Sequence, residues 1–319
     1  MNKLKKVGLS ALAGSLVATS AIAGEMAVSG SAKLTYTDRE QSSGATGTPF
    51  GMNKLLGFSG SGEMDNGWGV SVYFGNNGTS QSSASLSIDM GDMGKLTYDS
   101  GVGGHGIGSI DDKTPTAAEE IWDNISYGTG HDGFRVGIGN SGALAYSTTV
   151  GAVSISADYV RQGGGAVEDG ATGAAGTGSG TSIALTMSPS DGLNVGAGVG
   201  NKGTGNASEE DKQKTAFATF AVGPATIGLQ RAYQDSAGTD ADWTTTQYGI
   251  SFAVNENLSL SYGARTVDAE TSLDEEGTGI AASYTMGSMS ITANHNEVDD
   301  IKGAAGNKET TEIAVSFAF

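Results

Sequence analysis

The feature that most constrains this chain is an alternation of period two that recurs along nearly all of it. From residue 26 to 36 the even positions carry Met26, Val28, Gly30, Ala32, Leu34 and Tyr36, against Ala27, Ser29, Ser31, Lys33 and Thr35 at the odd ones. Successive side chains of a strand point to opposite faces, so this is a strand with one apolar and one polar environment. The pattern returns at Leu56, Phe58, Gly60, Gly62 and Met64, then at Trp68, Val70, Val72 and Phe74, and at Leu86, Ile88 and Met90. It continues at Val153, Ile155, Ala157 and Tyr159, at Leu193, Val195, Ala197 and Val199, and at Tyr248, Ile250, Phe252 and Val254. Leu258, Leu260 and Tyr262, then Met289, Ile291 and Ala293, lead to a terminus on Ile313, Val315, Phe317 and Phe319.

The connections alternate as well. One set is tight and made of hairpin-turn residues: 65–67, 91–94, 149–151, 188–192, 222–224, 255–257 and 287–288. The other set is longer, polar and glycine-rich: 39–51, 101–142, 163–180, 203–212, 235–242, 269–277 and 299–307. Short turns on one rim and long loops on the other are the pattern of an outer-membrane barrel. All four prolines (Pro49, Pro115, Pro189, Pro224) fall in loops or turns, as a continuous ladder requires, because each strand residue must donate its N–H. In lipid every backbone polar group must be satisfied internally, so only helices and closed barrels span. No stretch after the N-terminal segment is long and apolar enough for a spanning helix. The apolar fraction of 37% then fits, since only the lipid-facing half of a barrel strand need be apolar. The expected fold is therefore an all-β, antiparallel transmembrane barrel of about sixteen strands. Two weaker strand-like pieces, 125–127 and 134–138, would raise the count to eighteen.

The first residues read differently. Lys3, Lys5 and Lys6 precede an apolar run to about Ile22 that ends in Ala21-Ile22-Ala23. That is a secretory signal peptide over residues 1–23, with the barrel over 24–319. A membrane anchor is disfavoured by Ser10, Gly14, Ser15, Thr19 and Ser20, which interrupt the run. Losing three lysines and no acid takes the formal charge from −18 to −21. A chain so acidic lacks the basic patch that nucleic acid or anionic lipid would need. There is no cysteine, so an exported chain of this kind has no disulfide to hold it.

Several weaker signals point elsewhere. The glycine-rich runs at 101–106 and 196–200 lack the βαβ surroundings of a nucleotide loop. His105, His131 and His295 are too scattered for a metal site, and no serine triad stands out, so an enzyme is not expected. A secreted β-solenoid or adhesin should repeat at fixed period, which this chain does not. A soluble sheet would also show recurrent aromatics, but here they gather near strand ends, as interfacial girdles do: Tyr36, Tyr98, Tyr159, Tyr233, Tyr262 and Tyr284 among them. A substrate-selective channel would need a track of luminal aromatics, and none is visible.

Several segments carry a family resemblance. The start Met26-Ala27-Val28-Ser29-Gly30 and the hairpin Glu63-Met64-Asp65-Asn66-Gly67-Trp68-Gly69-Val70 are two of them. Ile88-Asp89-Met90-Gly91-Asp92-Met93-Gly94-Lys95-Leu96, the hairpin from Leu144 to Val153, and the final Ile313-Ala314-Val315-Ser316-Phe317-Ala318-Phe319 are the others. In order and spacing they resemble the Gram-negative general porins of the outer membrane, most closely the alphaproteobacterial kind. The resemblance implies passive diffusion of small hydrophilic solutes and ions, a homotrimer, and a surround of outer-membrane lipid. It implies that Phe317 and Phe319 form the signal read by the barrel assembly machinery. It also implies that residues 101–142 are a loop folded inward to constrict the pore, with acids facing basic wall residues.

The loop carries Asp111, Asp112, Glu119, Glu120, Asp123 and Asp132, and the inward parity of the strands places Lys33, Lys95, Lys202 and Arg265 on the wall. Arg161 and Arg231 fall on the outward parity, a departure that leaves the wall short of arginine. A ring of carboxylates in a water-filled hole favours cations, so cation preference is expected. No cofactor is expected, though the paired carboxylates Asp111, Asp112, Glu119 and Glu120 are candidate Ca²⁺ ligands, since that ion takes clustered oxygens.

Overall fold

The alternation resolves into one sheet. In a computed structural model, residues 24–39, 48–78, 81–121, 138, 141–161, 178–203, 210–237, 242–269 and 273–319 are described, so the signal segment 1–23 lies outside the described residues. Sixteen strands run through them: β1 (Met26–Arg39), β2 (Phe50–Glu63), β3 (Gly69–Asn76), β4 (Gln81–Asp89), β5 (Lys95–Ser100), β6 (Ser141–Val150), β7 (Val153–Arg161) and β8 (Ser179–Ser190), then β9 (Leu193–Gly203), β10 (Glu210–Val222), β11 (Ala225–Asp235), β12 (Trp243–Ala253), β13 (Leu258–Ala269), β14 (Glu275–Met286), β15 (Met289–Asp299) and β16 (Asn307–Ala318). Each pairs antiparallel with the next, and β16 returns to β1, closing the barrel. At the seam Leu34 lies opposite Val315 and Tyr36 opposite Ile313. Gly30 N donates to Phe319 O at 2.6 Å, and Phe319 N donates to Gly30 O at 2.9 Å. Closure leaves no edge strand with unpaired backbone groups, which lipid could not satisfy.

Register decides which face each side chain meets, and here it turns the chain inside out. Leu34, Tyr36, Phe58, Leu86, Leu185, Leu229, Ile250 and Phe317 are exposed on the outside of the barrel. A contiguous apolar surface of this extent is what lipid covers. The inner face buries polar groups instead, including Thr215, Gln230, Gln247, Asn294, Asn296 and Glu312. Arg161 on β7 and Arg231 on β11 are exposed and outward, as their parity requires.

The tight turns all lie on one rim. Gly223 and Gly287 sit at φ of 57° and 60°, in the left-handed region that lets a two-residue link reverse the chain. The opposite rim carries the longer connections, with one exception: β3 and β4 are joined over 77–80 alone. The connection expected over 101–142 is bounded by Ser100, the last residue of β5, and Ser141, the first of β6. The piece at 125–127 lies outside the described residues, as does 134–138 except for Ile138, which is not in a strand.

Candidate functional site

The described part of the long loop, 101–121, leaves β5 and runs along the inner wall, fastened strand by strand. At its root Asp99, fully buried on β5, accepts hydrogen bonds from Val102 N and Gly103 N, both at 2.7 Å. Its Oδ2 also lies 2.7 Å from His105 Nε2. Gly106 N then donates to Ser156 Oγ of β7 at 2.9 Å, and Ile107 N to Ser182 Oγ of β8 at 2.8 Å. On β11 the fully buried Gln230 holds the loop from both ends of its amide: Nε2 donates to Ile110 O at 2.6 Å, and Oε1 accepts from Lys113 N at 2.7 Å. Gln247 Nε2 of β12 donates to Thr114 Oγ1. Ser261 Oγ of β13 accepts from Ala117 N at 2.8 Å, and Asn296 Nδ2 of β15 donates to Glu120 O at 3.1 Å.

Between these bonds the loop presses apolar residues onto wall glycines. Ile107 and Ile110, both buried, lie over Gly198 of β9. Pro115 lies over Gly228 of β11 and Gly249 of β12, and Ile121 over Gly263 of β13 and Gly279 of β14. A Cβ at Gly263 would stand 2.8 Å from Ile121 Cγ2, and one at Gly198 would stand 3.0 Å from Ile107 Cγ1. These inward glycines form a seat, since any side chain there would hold the loop away from the wall.

The charges sort unevenly. Lys33 of β1 pairs with Glu119 of the loop and lies 3.3 Å from Glu312 of β16, whose Oε2 accepts from Thr37 Oγ1 at 2.8 Å. Arg265 pairs instead with a wall acid, Glu275 of β14, at 2.8 Å, and both are buried. Lys95 stands near the tight-turn rim opposite Asp89, in a hollow it shares with Asp92 and Ser109. Lys202 is half-buried on the inner face of β9. Of the expected wall cations, Lys33 is the one seen here to meet a loop acid, Glu119.

The loop acids have differing environments. Asp111 Oδ1 accepts from Asp112 N at 2.9 Å, and burial pushes the Asp111 carboxyl above the usual range. Asp112 Oδ1 accepts from Thr114 N at 3.2 Å and from Thr114 Oγ1 at 3.0 Å. Glu120 hydrogen-bonds to Asp112, and its carboxyl is raised to about 7, by burial first and then by the neighbouring Asp112 charge. Asp123 and Asp132 lie outside the described residues. Among the described residues no three acidic or histidine side chains converge on one cation position. Phe317 and Phe319 are exposed at the barrel seam.

Sequence reasoning missed the anchors Asp99, Gln230, Gln247, Ser261, Asn296 and Glu312, and the glycine seat. A signal was available: Gly198, Gly228, Gly249, Gly263 and Gly279 all fall on inward parity, beside inward amides and hydroxyls. Within the run at 196–200, Gly198 and Gly200 face Ile107 of the loop, whereas Gly196 faces Phe217 of β10.

The comparisons agree with the geometry. The family described as Gram-negative porin matches residues 8–319. Among solved structures, a porin refined at 1.8 Å shares 17% identity at a TM-score of 0.67, covering 92% of this chain and 100% of its own. An anion-selective porin from Comamonas acidovorans shares 13% at 0.64, covering 93% and 100%. An engineered variant of the Rh. blastica porin shares 15% at 0.64, covering 92% and 100%. None of the curated protein sequences matches significantly. A closed barrel with an apolar exterior, a polar lumen and a loop laid along its inner wall is thus matched by family over nearly its whole length, and the chain belongs to the Gram-negative porins, passive channels of the bacterial outer membrane rather than enzymes.

Proposed function

We propose that this porin is a cation-preferring diffusion pore for small hydrophilic solutes, constricted by the loop over 101–140. The carrying observation is the charge balance along that loop. Lys33 faces two carboxylates, Glu119 and Glu312, and Arg265 is paired with Glu275, while Asp111, Asp112 and Glu120 outnumber the loop's own Lys113. A carboxylate excess in a narrow aqueous passage lowers the energy of cations and raises that of anions. The family does not fix the sign, since the Comamonas acidovorans relative is anion-selective by its title. Glu120, its carboxyl raised to about 7, is read as a proton-holding group beside Asp112 rather than as part of a Ca²⁺ site, because Glu119 is turned to Lys33.

The assembly is a homotrimer formed through β1 and β2, whose outward face is largely apolar, with Lys54 between Met52 and Leu56. Met26, Val28, Leu34 and Tyr36 continue into Phe50, Met52, Leu56 and Phe58, with Tyr36 and Phe50 edge to face at 5.4 Å. Self-association would cover this surface. Phe317 and Phe319 on the last strand serve as the assembly signal.

The test is conductance across a planar bilayer in a salt gradient, using refolded mature chain. Steps in groups of three with a reversal potential of cationic sign support the whole reading. Anionic sign sinks the charge argument, and single unitary steps sink the trimer.

A further inference from the structure

Below the seated loop the inner wall carries a hollow of about 560 Å³ that the constriction does not use. Its roof is the short 3-10 turn over Gly106–Ile110, which contributes Ser109. Its floor is the wall of β4 to β8 on the tight-turn side. The roof is fixed by the bonds from Gly106 N to Ser156 and from Ile107 N to Ser182. The hollow falls in the range of about 300–1,000 Å³ in which small-molecule sites lie.

Register makes the floor an ordered array. One row across the strands reads Asp89, Lys95, Ser147, Ser156 and Ala184, each opposite the next. The row nearer the turns reads Thr149, Ser154 and Thr186. Opposite side chains stand about 4.5–5.5 Å apart, and rows two residues apart are separated by about 6.6 Å. The small side chains of these rows leave the space that Gln, Asn and Arg fill on the wall across the lumen. There Gln230 and Asn296 hold the loop and Arg265 pairs with Glu275, so those groups are spoken for.

The hydroxyls of the hollow keep capacity for a ligand. Ser156 Oγ accepts from Gly106 N at 2.9 Å and retains its proton to donate. Ser109 Oγ donates to Gly106 O at 2.6 Å and retains its lone pairs. Thr149 and Ser154 lie with their hydroxyl oxygens 3.2 Å apart, one donor between them being spare. Three charges line one end: Lys95, Asp89 and Asp92. Lys95 makes no ion pair among the described residues. Asp89 Oδ1 accepts from Gly91 N at 2.9 Å. With one ammonium against two carboxylates, the end selects no strongly anionic solute. Among the described residues no aromatic ring lines the hollow, so a flat apolar solute has nothing to stack on. A neutral solute rich in hydroxyls fits both ends, because each hydroxyl donates and accepts, and its bonds to ammonium and carboxylate are charge-assisted.

From these observations we infer that the hollow is a subsite for a neutral polyhydroxylated solute of monosaccharide size, on the tight-turn side of the constriction. The inference rests on the reading of the chain as a diffusion pore. Solute hydroxyls replace water along Ser147, Ser156 and Thr186, and Lys95 and Asp89 bond the far edge of the solute.

The test is saturation-transfer NMR on the refolded mature chain in detergent, with D-glucose as probe and triethylene glycol, whose oxygens are mostly ethers, as control. The wild type should transfer to glucose saturably and to triethylene glycol only weakly. Ser147→Ala with Thr186→Val removes two hydroxyls and should weaken glucose binding about tenfold. Ser283→Ala, an inward hydroxyl of β14 opposite Thr292, should leave it unchanged. Equal transfer to both probes by the wild type, unchanged affinity in the double variant, or the same loss in Ser283→Ala would each overturn the site. Planar-bilayer recording separates the site from the pore: glucose should lower the current saturably, beyond its effect on bulk conductivity. Saturable transfer without conductance would keep the site and fail the pore, whereas conductance without saturable transfer would fail the site.

Discussion

Replacing Gly249 and Gly263 together by alanine should free the loop tip while leaving the barrel intact. A Cβ at Gly249 would lie 2.7 Å from Pro115 O, and one at Gly263 would lie 2.8 Å from Ile121 Cγ2. Ordinary contact begins at 3.4 Å, so the shortfalls are 0.7 and 0.6 Å, and in each case the obstructed atom belongs to the loop. Overfilling a packed site of this kind costs about 1–3 kcal/mol. Burial of the Ile121 side chain contributes about 1.5–3 kcal/mol, so the two effects are of the same size and the tip should spend much of its time off the wall. The strand ladder is untouched, since the nearest strand atom to the Gly263 methyl is Tyr248 O at an ordinary 3.5 Å. Single-channel recording at fixed salt should therefore show increased open-channel noise, with an unchanged heat-denaturation midpoint of the barrel. Gly62→Ala, whose Cβ would meet nothing within 4 Å, is the matched control and should be silent. A quiet double variant, or a Gly62→Ala trace disturbed to the same degree, would refute the idea that inward glycines seat the loop.

Three further outcomes are expected. The Glu120 carboxyl is raised from 4.5 to about 7, so the docked loop binds its proton more tightly than a free loop does. Docking is then strongest below pH 4.5 and weakens as pH rises to about 7, while cation preference grows as the group ionises. Reversal potentials between pH 5 and 8 should show this drift, and Glu120→Gln should flatten it; a flat wild-type profile contradicts a proton held on Glu120. Lys33→Met leaves Glu119 and Glu312 without their common cation, which should move the reversal potential further to the cationic side. Because partly exposed pairs contribute only about 0.2–1 kcal/mol, barrel stability should barely change, and a shift toward anions would be inconsistent with the assignment. Deleting Phe319 removes the two seam hydrogen bonds to Gly30 and the terminal aromatic. Yield in cells, followed by heat-modifiable mobility on gels, should fall more than yield on refolding in detergent; equal losses would leave no role for recognition by the assembly machinery.

The reach of the sequence is uneven for reasons visible in single residues. Leu34 and Lys33 are adjacent, and their opposite environments follow from strand geometry alone, so the faces of β1 could be assigned without coordinates. The same holds for Arg231, whose outward placement is a fact of parity. Lys33 was legible as a luminal cation for this reason, but its partners were not. Glu119 is 86 positions away in the chain and Glu312 lies across the seam, distances that no local pattern encodes. Arg265 lies on the inward parity as well, and its pairing with the wall acid Glu275 is likewise one that no local pattern encodes.

What the sequence alone determined is the part governed by local periodicity: antiparallel strands, a lipid face and a water face, tight turns on one rim and longer loops on the other. That information is short-range, because the alternation of side chains and the demands of hairpin turns are set within a few residues. The tertiary structure decided where the loop lies and which charges meet. Its course depends on glycines from β9, β11, β12, β13 and β14 coming level on the inner wall, and on amides of Gln230, Gln247 and Asn296 reaching its backbone. Those groups become neighbours only when the register of every strand is fixed and the ring is closed.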